Sequence, residues 1–277
     1  MNDEQRFLFD TFGFLIVPNV LTTVQLDQLT STIARPTEQW DHNDRGPEKG
    51  PLHWDPIWRE LLDLPVISAL LEDMIGDPLL QAAAQRNPNQ TGLPTFRLDH
   101  INIHTHIKKG FAGGKLHGGH GVNGAFRYHD GRFYNGMTTV SFELYDTHPN
   151  DGGFCCVPGT HKGNVPMPSD WLDLSVDVAP CVQRVSARPG DAIIFTEALT
   201  HGTLPWTADT PRASIFYKFS PHSASWGADF FAPDDYRIYD DMDDRRLAML
   251  EPPNARYRGR PHRPARRDDG VSAETDS

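Results

Sequence analysis

Two histidines and one arginine stand out in this sequence because of the segments that surround them. His117 lies in Leu116–Gly119, and His201 follows the glycine- and aspartate-led apolar segment Pro189–Phe195. Two imidazoles and one carboxylate form the facial triad of non-haem iron oxygenases, which leaves positions open for a cosubstrate and for oxygen. Arg212 comes eleven positions after His201 (212 − 201). Its forked donors suit the carboxylate of an acidic cosubstrate, so the three residues predict a metal centre beside an anion site.

These segments resemble the phytanoyl-CoA dioxygenase family over roughly residues 4–226. The similarity lies in the Gly-Asp before an apolar strand, in His201-Gly-Thr203 followed by Arg212, in the glycine-punctuated segment 151–162 and in the opening segment 12–21. The resemblance implies iron(II), 2-oxoglutarate and oxygen as cofactors on a double-stranded β-helix. It further implies that both histidines bind the metal, that the arginine binds 2-oxoglutarate, and that Thr203 assists the cosubstrate.

The metal motif departs from the family at Gly119, because the family has His-x-Asp and this chain has His-x-Gly. In the iron halogenases that resemble these hydroxylases, a Gly or Ala at this position lets chloride bind the iron. The substrate carbon then receives chlorine instead of a hydroxyl group. An aspartate would fill the space and repel the anion by like charge. The resemblance therefore implies catalytic roles for His117, Gly119 and His201, with chloride as a further cofactor held at Gly119.

Three alternatives to the halogenase interpretation remain at this stage. His120 could serve as a third nitrogen ligand. Asp130 could supply a carboxylate from the next strand, which would make the protein a hydroxylase. A degenerate site would instead make it a non-catalytic relative that binds a small molecule. Thirteen histidines also supply many chance pairs, and a second His-x-Gly at 129–131 lacks the glycine-rich approach that precedes His117.

The expected substrate is a small diffusible molecule, because the chain has no carrier-protein signature. A net charge of −11 also offers no basic face to an acidic carrier. Among halogenases, the overall plan resembles the freestanding kind that chlorinates the nucleotide 2′-deoxyadenosine monophosphate in nucleoside-antibiotic biosynthesis. Arg127 could meet a phosphate, Phe126 could stack on a base, and Glu197 could bind a polar group or face solvent. The other basic and aromatic candidates, each equally explained as a solvated charge or a core ring, are Lys108, Lys109, Lys115, Arg132, Tyr128, Phe133 and Trp206.

The strand that follows the helical region has an unusually polar face. Residues 95–107 alternate, and one face carries Phe96, Leu98, His100, Asn102, His104 and His106. Alternation with period two predicts a strand. Its polar face either lines the active cavity, in which case Asn102 contacts the cosubstrate, or faces solvent at an edge.

Other local signals indicate many short strands preceded by helices. Helices are expected at the start of segment 3–17, over 21–33 with Thr22 or Thr23 as N-cap, and over 54–75 as two helices separated at Pro65. Strands are expected at 126–134, 136–144, 192–195 and 213–219. This pattern predicts a mostly β fold with helical cover, consistent with a double-stranded β-helix (jelly-roll or cupin-like) core.

Length and composition favour one soluble domain. We expect a single catalytic domain over residues 1–251, a lid-like polar loop at 35–52, and a disordered tail at 252–277 that is too polar to bury a core. The acidic balance argues against binding to a nucleic-acid polymer or a membrane surface. No apolar run reaches the ~18 residues of a membrane span, and the polar start lacks signal-peptide character. Three cysteines, two of them adjacent, fit reduced thiols in a cytoplasmic protein.

Overall fold

The computed structural model describes residues 1–34, 50–119, 126–227 and 229–257, apart from the side chain of His106. Most of the expected loop at 35–52 lies outside these residues, and so does the alternative ligand His120. The same holds for the predicted tail from residue 258 onwards.

The helices lie mainly in the first third of the chain, as the sequence predicts. Thr22 caps α2 by accepting a hydrogen bond from the backbone of Gln25, and Pro65 occupies the first turn of α4, where its missing N–H costs nothing. Within the described residues the helices are α1 Asp3–Phe12, α2 Thr23–Ile33, α3 Pro56–Glu60, α4 Pro65–Ile75, α5 Pro78–Ala84 and α6 Asp244–Met249.

Ten strands follow one another through the described residues. They are β1 Phe14–Val17, β2 Phe96–Ile107, β3 Arg127–His129, β4 Arg132–Tyr134, β5 Thr138–Glu143, β6 Gly153–Val157, β7 Gln183–Arg184, β8 Ala192–Thr196, β9 Thr200–Leu204 and β10 Arg212–Pro221. Each expected strand segment is therefore occupied by a strand, although 126–134 forms a hairpin of two short strands, β3 and β4.

Two antiparallel sheets face each other and form the barrel. The larger sheet has the order β1-β8-β5-β10-β2, and the smaller has the order β7-β6-β9, to which His117 adds a bridge at the β9 edge. The rings of Phe154 on β6 and Phe195 on β8 lie 4.8 Å apart between the sheets. This arrangement is the predicted double-stranded β-helix.

The larger sheet is apolar on its outer face and polar on much of its inner face. Its outer side chains pack beneath the helices in one core cluster, which includes Trp58, Leu61, Leu71, Val140, Phe142, Ile194, Ile215 and Tyr217. Each such side chain stabilises the fold by roughly 1.5–3 kcal/mol when fully buried. The helices thereby leave the opposite face of the sheet to line the barrel interior.

Strand register shows where the polar face of β2 points. Asn102 pairs with Phe216 on β10, and Phe216 pairs with Ser141 on β5. Directly opposed residues share one face of a sheet. Asn102 therefore lies on the inner face, which supports the interpretation that this polar face lines the barrel.

Residues 252–257 pack against the domain, although we expected the tail to begin at 252. Asn254 donates its N–H to the carbonyl of His222, and Arg256 donates to the carbonyl oxygens of Pro94 and Ala248. A search of the described residues finds no helix long and apolar enough to cross a membrane. Cys155 and Cys156 are free and buried, and Cys181 is free and exposed.

Candidate metal and cosubstrate site

The structure brings His117 and His201 side by side. Each residue donates its backbone N–H to the carbonyl oxygen of the other, at 2.9 Å in both directions. The two imidazole rings lie with their centroids 4.3 Å apart. The antiparallel bridge thus places two possible nitrogen ligands on neighbouring strands at one end of the barrel.

Both imidazoles are oriented by the same kind of hydrogen bond. Nδ1 of His117 lies 3.1 Å from the carbonyl oxygen of Lys115, and Nδ1 of His201 lies 2.7 Å from that of Leu199. A carbonyl can only accept, so each Nδ1 carries a proton, and the neutral form of such a ring has its lone pair on Nε2. This is the arrangement that metal-binding histidines usually have.

The two rings differ in their surroundings. His201 is buried and lies 4.6 Å from the Phe195 ring, whereas His117 is exposed. Burial lowers the pKa of His201 to about 4, despite the opposing charge of Glu197. His201 is therefore neutral near pH 7, which is the form that binds metals.

Glu197 places a carboxylate beside His201. Its side chain is 1% exposed, so it does not face solvent, and its Oε2 lies 3.7 Å from Nε2 of His201. Its Oε1 contacts the Lys218 ammonium at 2.8 Å and accepts a hydrogen bond from the Thr139 hydroxyl. Burial alone would raise the pKa of Glu197, but His201 and Lys218 lower it to about 2, so the group is ionised.

Arg212 lies between the two sheets, as its predicted role requires. Its Nη2 donates to both carboxylate oxygens of Glu143, at 3.3 and 3.4 Å. A Cβ at Gly153 would lie 3.3 Å from Nε of Arg212, so the glycine lets the guanidinium rest against β6. Nε and Nη1 are buried and have no hydrogen-bond partner among the described residues.

The polar residues around Arg212 were not predicted from the sequence. Glu143 accepts hydrogen bonds from the hydroxyls of Ser141 and Ser214, both fully buried. The sequence did contain a signal for them. Ser214 and Lys218 are separated from Arg212 by even numbers of residues on β10, so their side chains lie on the same face of the strand.

The two glycines after His117 have backbone conformations that favour glycine. Gly118 and Gly119 have φ values of +85° and +87°. A Cβ at Gly118 would lie 2.4 Å from the carbonyl oxygen of Leu199, and a Cβ at Gly119 would lie 3.0 Å from Oγ1 of Thr200. Gly119 therefore has a conformational reason to be glycine, in addition to the space for chloride that the sequence analysis considered.

Asp130 does not join the site, so the structure gives no support to it as the missing carboxylate. Its side chain is 83% exposed in the β3–β4 turn and lies 3.1 Å from its neighbour His129. Within the described ranges, no group of three or more His, Cys, Asp or Glu side chains is already arranged to hold a metal ion. The second His-x-Gly, at 129–131, lies in the same exposed turn.

Of the remaining predicted residues, one lies on the same strand as His201 and the others lie in the core or on the exposed hairpin. Thr203 lies two residues after His201 on the same face of β9. Phe126 is a core residue, because its ring packs on Phe9, Phe133 and His161. The predicted substrate residue Arg127 is exposed on the hairpin.

The other candidates for binding a nucleotide have partners away from the histidines. Lys109 pairs with Asp209, Arg132 donates to Gln81, and Trp206 is buried with its indole N–H on the carbonyl of Thr210. Lys108 and Lys115 are exposed, although Lys115 precedes His117 by two positions, and the ring of Tyr128 packs at a tilt against that of Phe133.

A cavity of about 750 Å³ opens beside α5 and the end of β10, and neither histidine nor Arg212 lines it. Its wall includes Leu79, Met137, Trp226 and Tyr257. The backbone N–H of Glu197 donates to the carbonyl of Met137, so the cavity adjoins the segment that leads to the histidine pair. The cavity lining contains no histidine, so it lacks the pair of imidazoles that the sequence predicts as metal ligands.

Comparison with known proteins agrees with this geometry. A sequence model described as "Phytanoyl-CoA dioxygenase (PhyH)" matches residues 9–214. A search of curated protein sequences finds no match.

Solved structures share the fold. HygX from Streptomyces hygroscopicus, solved with nickel and 2-oxoglutarate bound, is similar with a TM-score of 0.65 and 24% identity over 86% of this chain and 94% of its own. HygX has also been solved with iron bound. The non-haem α-ketoglutarate-dependent epimerase SnoN from nogalamycin biosynthesis has a TM-score of 0.51 and 19% identity, over 80% of this chain and 83% of its own. At these identities the similarity is one of fold.

Proposed function

The chain belongs to the phytanoyl-CoA dioxygenase family, and we propose on that premise that it is an iron(II)- and 2-oxoglutarate-dependent oxygenase acting on a freestanding small molecule. The observation that carries the proposal is the pair of unpartnered buried nitrogens on Arg212. Unmet buried donors cost free energy, and a cosubstrate carboxylate would satisfy them.

The residues of the barrel have distinct roles in this proposal. His117 and His201 would hold iron through Nε2, and Arg212 would hold a carboxylate of 2-oxoglutarate, with Thr203 and Asn102 on the same interior. Bound iron would supply the chemistry in which one oxygen molecule converts R–H to R–OH while 2-oxoglutarate becomes succinate and carbon dioxide. The chain orients the cosubstrate and excludes water from its carboxylate.

The test is an anaerobic titration with iron(II) and 2-oxoglutarate, followed by measurement of succinate after oxygen is added. His117→Ala and His201→Ala should abolish iron-dependent succinate formation while keeping the far-UV circular dichroism of the wild type. His129→Ala is the matched control, since His129 is exposed on the hairpin, and it should behave as the wild type. Full turnover in both site variants would refute the proposal.

Halogenation is a second candidate, favoured by the glycine at 119. In the balanced reaction, R–H, chloride, 2-oxoglutarate, oxygen and a proton are converted to R–Cl, succinate, carbon dioxide and water. We place it second because the ionised carboxylate of Glu197, 3.7 Å from His201, would repel chloride. Mass spectrometry of products formed with and without chloride separates the two: a chlorine isotope pattern favours halogenation, and a chloride-independent hydroxylated product excludes it.

The nucleotide 2′-deoxyadenosine monophosphate is the substrate that the halogenase resemblance suggests. The predicted basic and aromatic contacts give it little support, because Phe126 is in the core and Lys109 and Arg132 have other partners. Incubation with this nucleotide should be compared with a panel of small molecules that carry no phosphate, including sugars. Stimulation of succinate formation by the nucleotide alone would establish the nucleotide as substrate.

A further inference from the structure

We propose that Glu197 is the carboxylate ligand of the candidate metal centre and so takes the place of the residue that is missing at position 119. This inference rests on the proposed function, since it takes the histidine pair to bind iron. It assigns the ligand to the segment that precedes the second histidine, four positions before His201.

The two oxygens of Glu197 have different surroundings. Oε1 is held by the Lys218 ammonium at 2.8 Å and by the Thr139 hydroxyl. Oε2 lies 3.7 Å from Nε2 of His201. One oxygen is thus fixed by partners while the other faces the histidine, as in metal sites whose ligating carboxylate is held by a second layer of hydrogen bonds.

A cation between Oε2 of Glu197 and Nε2 of His201 would satisfy both atoms. Nδ1 of His201 donates to the carbonyl of Leu199, so Nε2 of the neutral ring carries a lone pair. This Nε2 and Oε2 of Glu197 are two acceptor atoms 3.7 Å apart, and both residues are buried. A metal ion bound to both atoms removes that conflict.

The distances require only a small movement. Neighbouring ligand atoms in an octahedral site with bonds near 2.1 Å are about 3 Å apart. The observed 3.7 Å between Oε2 of Glu197 and Nε2 of His201 exceeds this by less than about 1 Å, which side-chain rotation supplies. The described residues contain no finished three-ligand group, so Glu197 would have to move closer to His201 to join one.

The competing explanation is a structural ion pair. Lys218 needs a counter-ion inside the barrel, and a protonated His201 could share the same carboxylate. In that case Glu197 would stabilise the fold and leave metal affinity nearly unchanged. The two explanations differ in how metal binding responds to the length and charge of the side chain.

The first experiment measures Mn(II) affinity of the full chain by electron paramagnetic resonance of the free ion. Glu197→Gln should weaken Mn(II) by more than about 100-fold, since even residues behind the ligands change metal affinity 10- to 100-fold. Glu197→Asp keeps the charge beside Lys218 but shortens the side chain, and it should also weaken the ion by more than about tenfold. Asp130→Asn is the control: it removes an exposed carboxylate in the β3–β4 turn, outside the site, and should leave Mn(II) affinity within about threefold of wild type.

A double variant guards against misfolding. Glu197→Gln/Lys218→Met removes both members of the ion pair, so no charge is left buried without a partner. It should recover thermal stability lost in the single variant while Mn(II) binding stays weak. Recovery of both stability and Mn(II) affinity would overturn the inference, as would wild-type affinity in Glu197→Asp.

The second readout is the visible spectrum of the Co(II)-loaded protein. With Glu197 on the metal, added chloride should leave the wild-type spectrum unchanged, whereas Glu197→Ala should respond to chloride at the opened position. A chloride response in wild type equal to that of Glu197→Ala contradicts ligation. If wild type binds neither Mn(II) nor Co(II), the proposed function fails as well. If it binds both and the Glu197 variants do not differ from it, only this inference fails.

Discussion

Replacement of Gly119 by aspartate tests whether a carboxylate at this position can reach the metal. The family pattern has an aspartate here, so a simple alignment suggests that Gly119→Asp completes a three-ligand site. The structure predicts a different result. A Cβ at 119 would lie 3.0 Å from Oγ1 of Thr200, with no atom of His117 or His201 within 4 Å of it. Since side chains alternate along a strand, Thr200 points to the face of β9 opposite that of His201.

The expected cost follows from the backbone. At φ +87° any L-residue other than glycine is strained, by about 1–3 kcal/mol. The approach to Thr200 is tighter than an ordinary contact, and rotation of the hydroxyl can relieve part of it. Gly119→Ala carries the same strain without the carboxylate and is therefore the matched control. We expect both variants to lose about 1–3 kcal/mol of unfolding free energy.

The assay pairs urea denaturation with Mn(II) titration of the two variants. Both should show the same loss of stability and Mn(II) affinities within about threefold of each other, a difference under about 0.7 kcal/mol. If Gly119→Asp bound Mn(II) tenfold or more tightly than Gly119→Ala, the carboxylate would reach the ion. The side-chain direction argued here would then be wrong.

Three further outcomes are expected. Arg212→Lys should raise the 2-oxoglutarate dissociation constant roughly ten- to hundredfold in calorimetric titration. The reason is that a single ammonium replaces the two-pronged guanidinium, which weakens binding by about 1.5–3 kcal/mol. An unchanged constant would place the cosubstrate elsewhere. Asp99→Asn should destabilise the fold by about 3–5 kcal/mol at pH 7, since Asp99 is the buried partner of Arg97. Burial alone would raise the pKa of Asp99, but hydrogen bonds and charges lower it well below its usual range. The stabilisation is therefore present above about pH 4 and is lost as pH falls below it, so the difference between wild type and variant in denaturation should shrink at pH 3. Iodoacetamide should label one thiol per native chain, at exposed Cys181, because burial raises the pKa of Cys155 to about 12; labelling of two thiols would contradict the buried positions.

The parts of the fold that follow from local rules could be predicted. Period-two alternation locates β2, and the cap at Thr22 and the break at Pro65 set the ends of α2 and α4. These features depend on neighbouring residues alone. The choice of which polar face lies inside the barrel does not, because it depends on pairing with strands far along the chain.

The candidate site shows the same division. The motif and the family resemblance identified His117, His201 and Arg212, which the structure places in one barrel. The proximity of Glu197 to the histidines could not be foreseen from the sequence, because Glu197 lies in the turn between β8 and β9, where side chains do not alternate. Asp130 was a reasonable choice by sequence distance, but a two-residue turn projects it into solvent. A local signal was present but was not used, because Asp130-Gly131 is a typical two-residue hairpin turn with positive φ at both positions.

The unequal exposure of the two histidines has a kinetic consequence. His201 is 5% exposed and faces the barrel interior, whereas His117 stands at the solvent side. In the proposed site, an ion that binds from solvent would reach His117 first, and an ion that dissociates would leave His117 last. Binding and release would therefore use the same route. A molecule that covers His117 would lengthen the residence time of the ion without changing either nitrogen ligand. Removal of metal by a chelator should therefore be slowest when a bound substrate covers His117. The metal content of the isolated protein would then depend on whether a molecule covered His117 during purification.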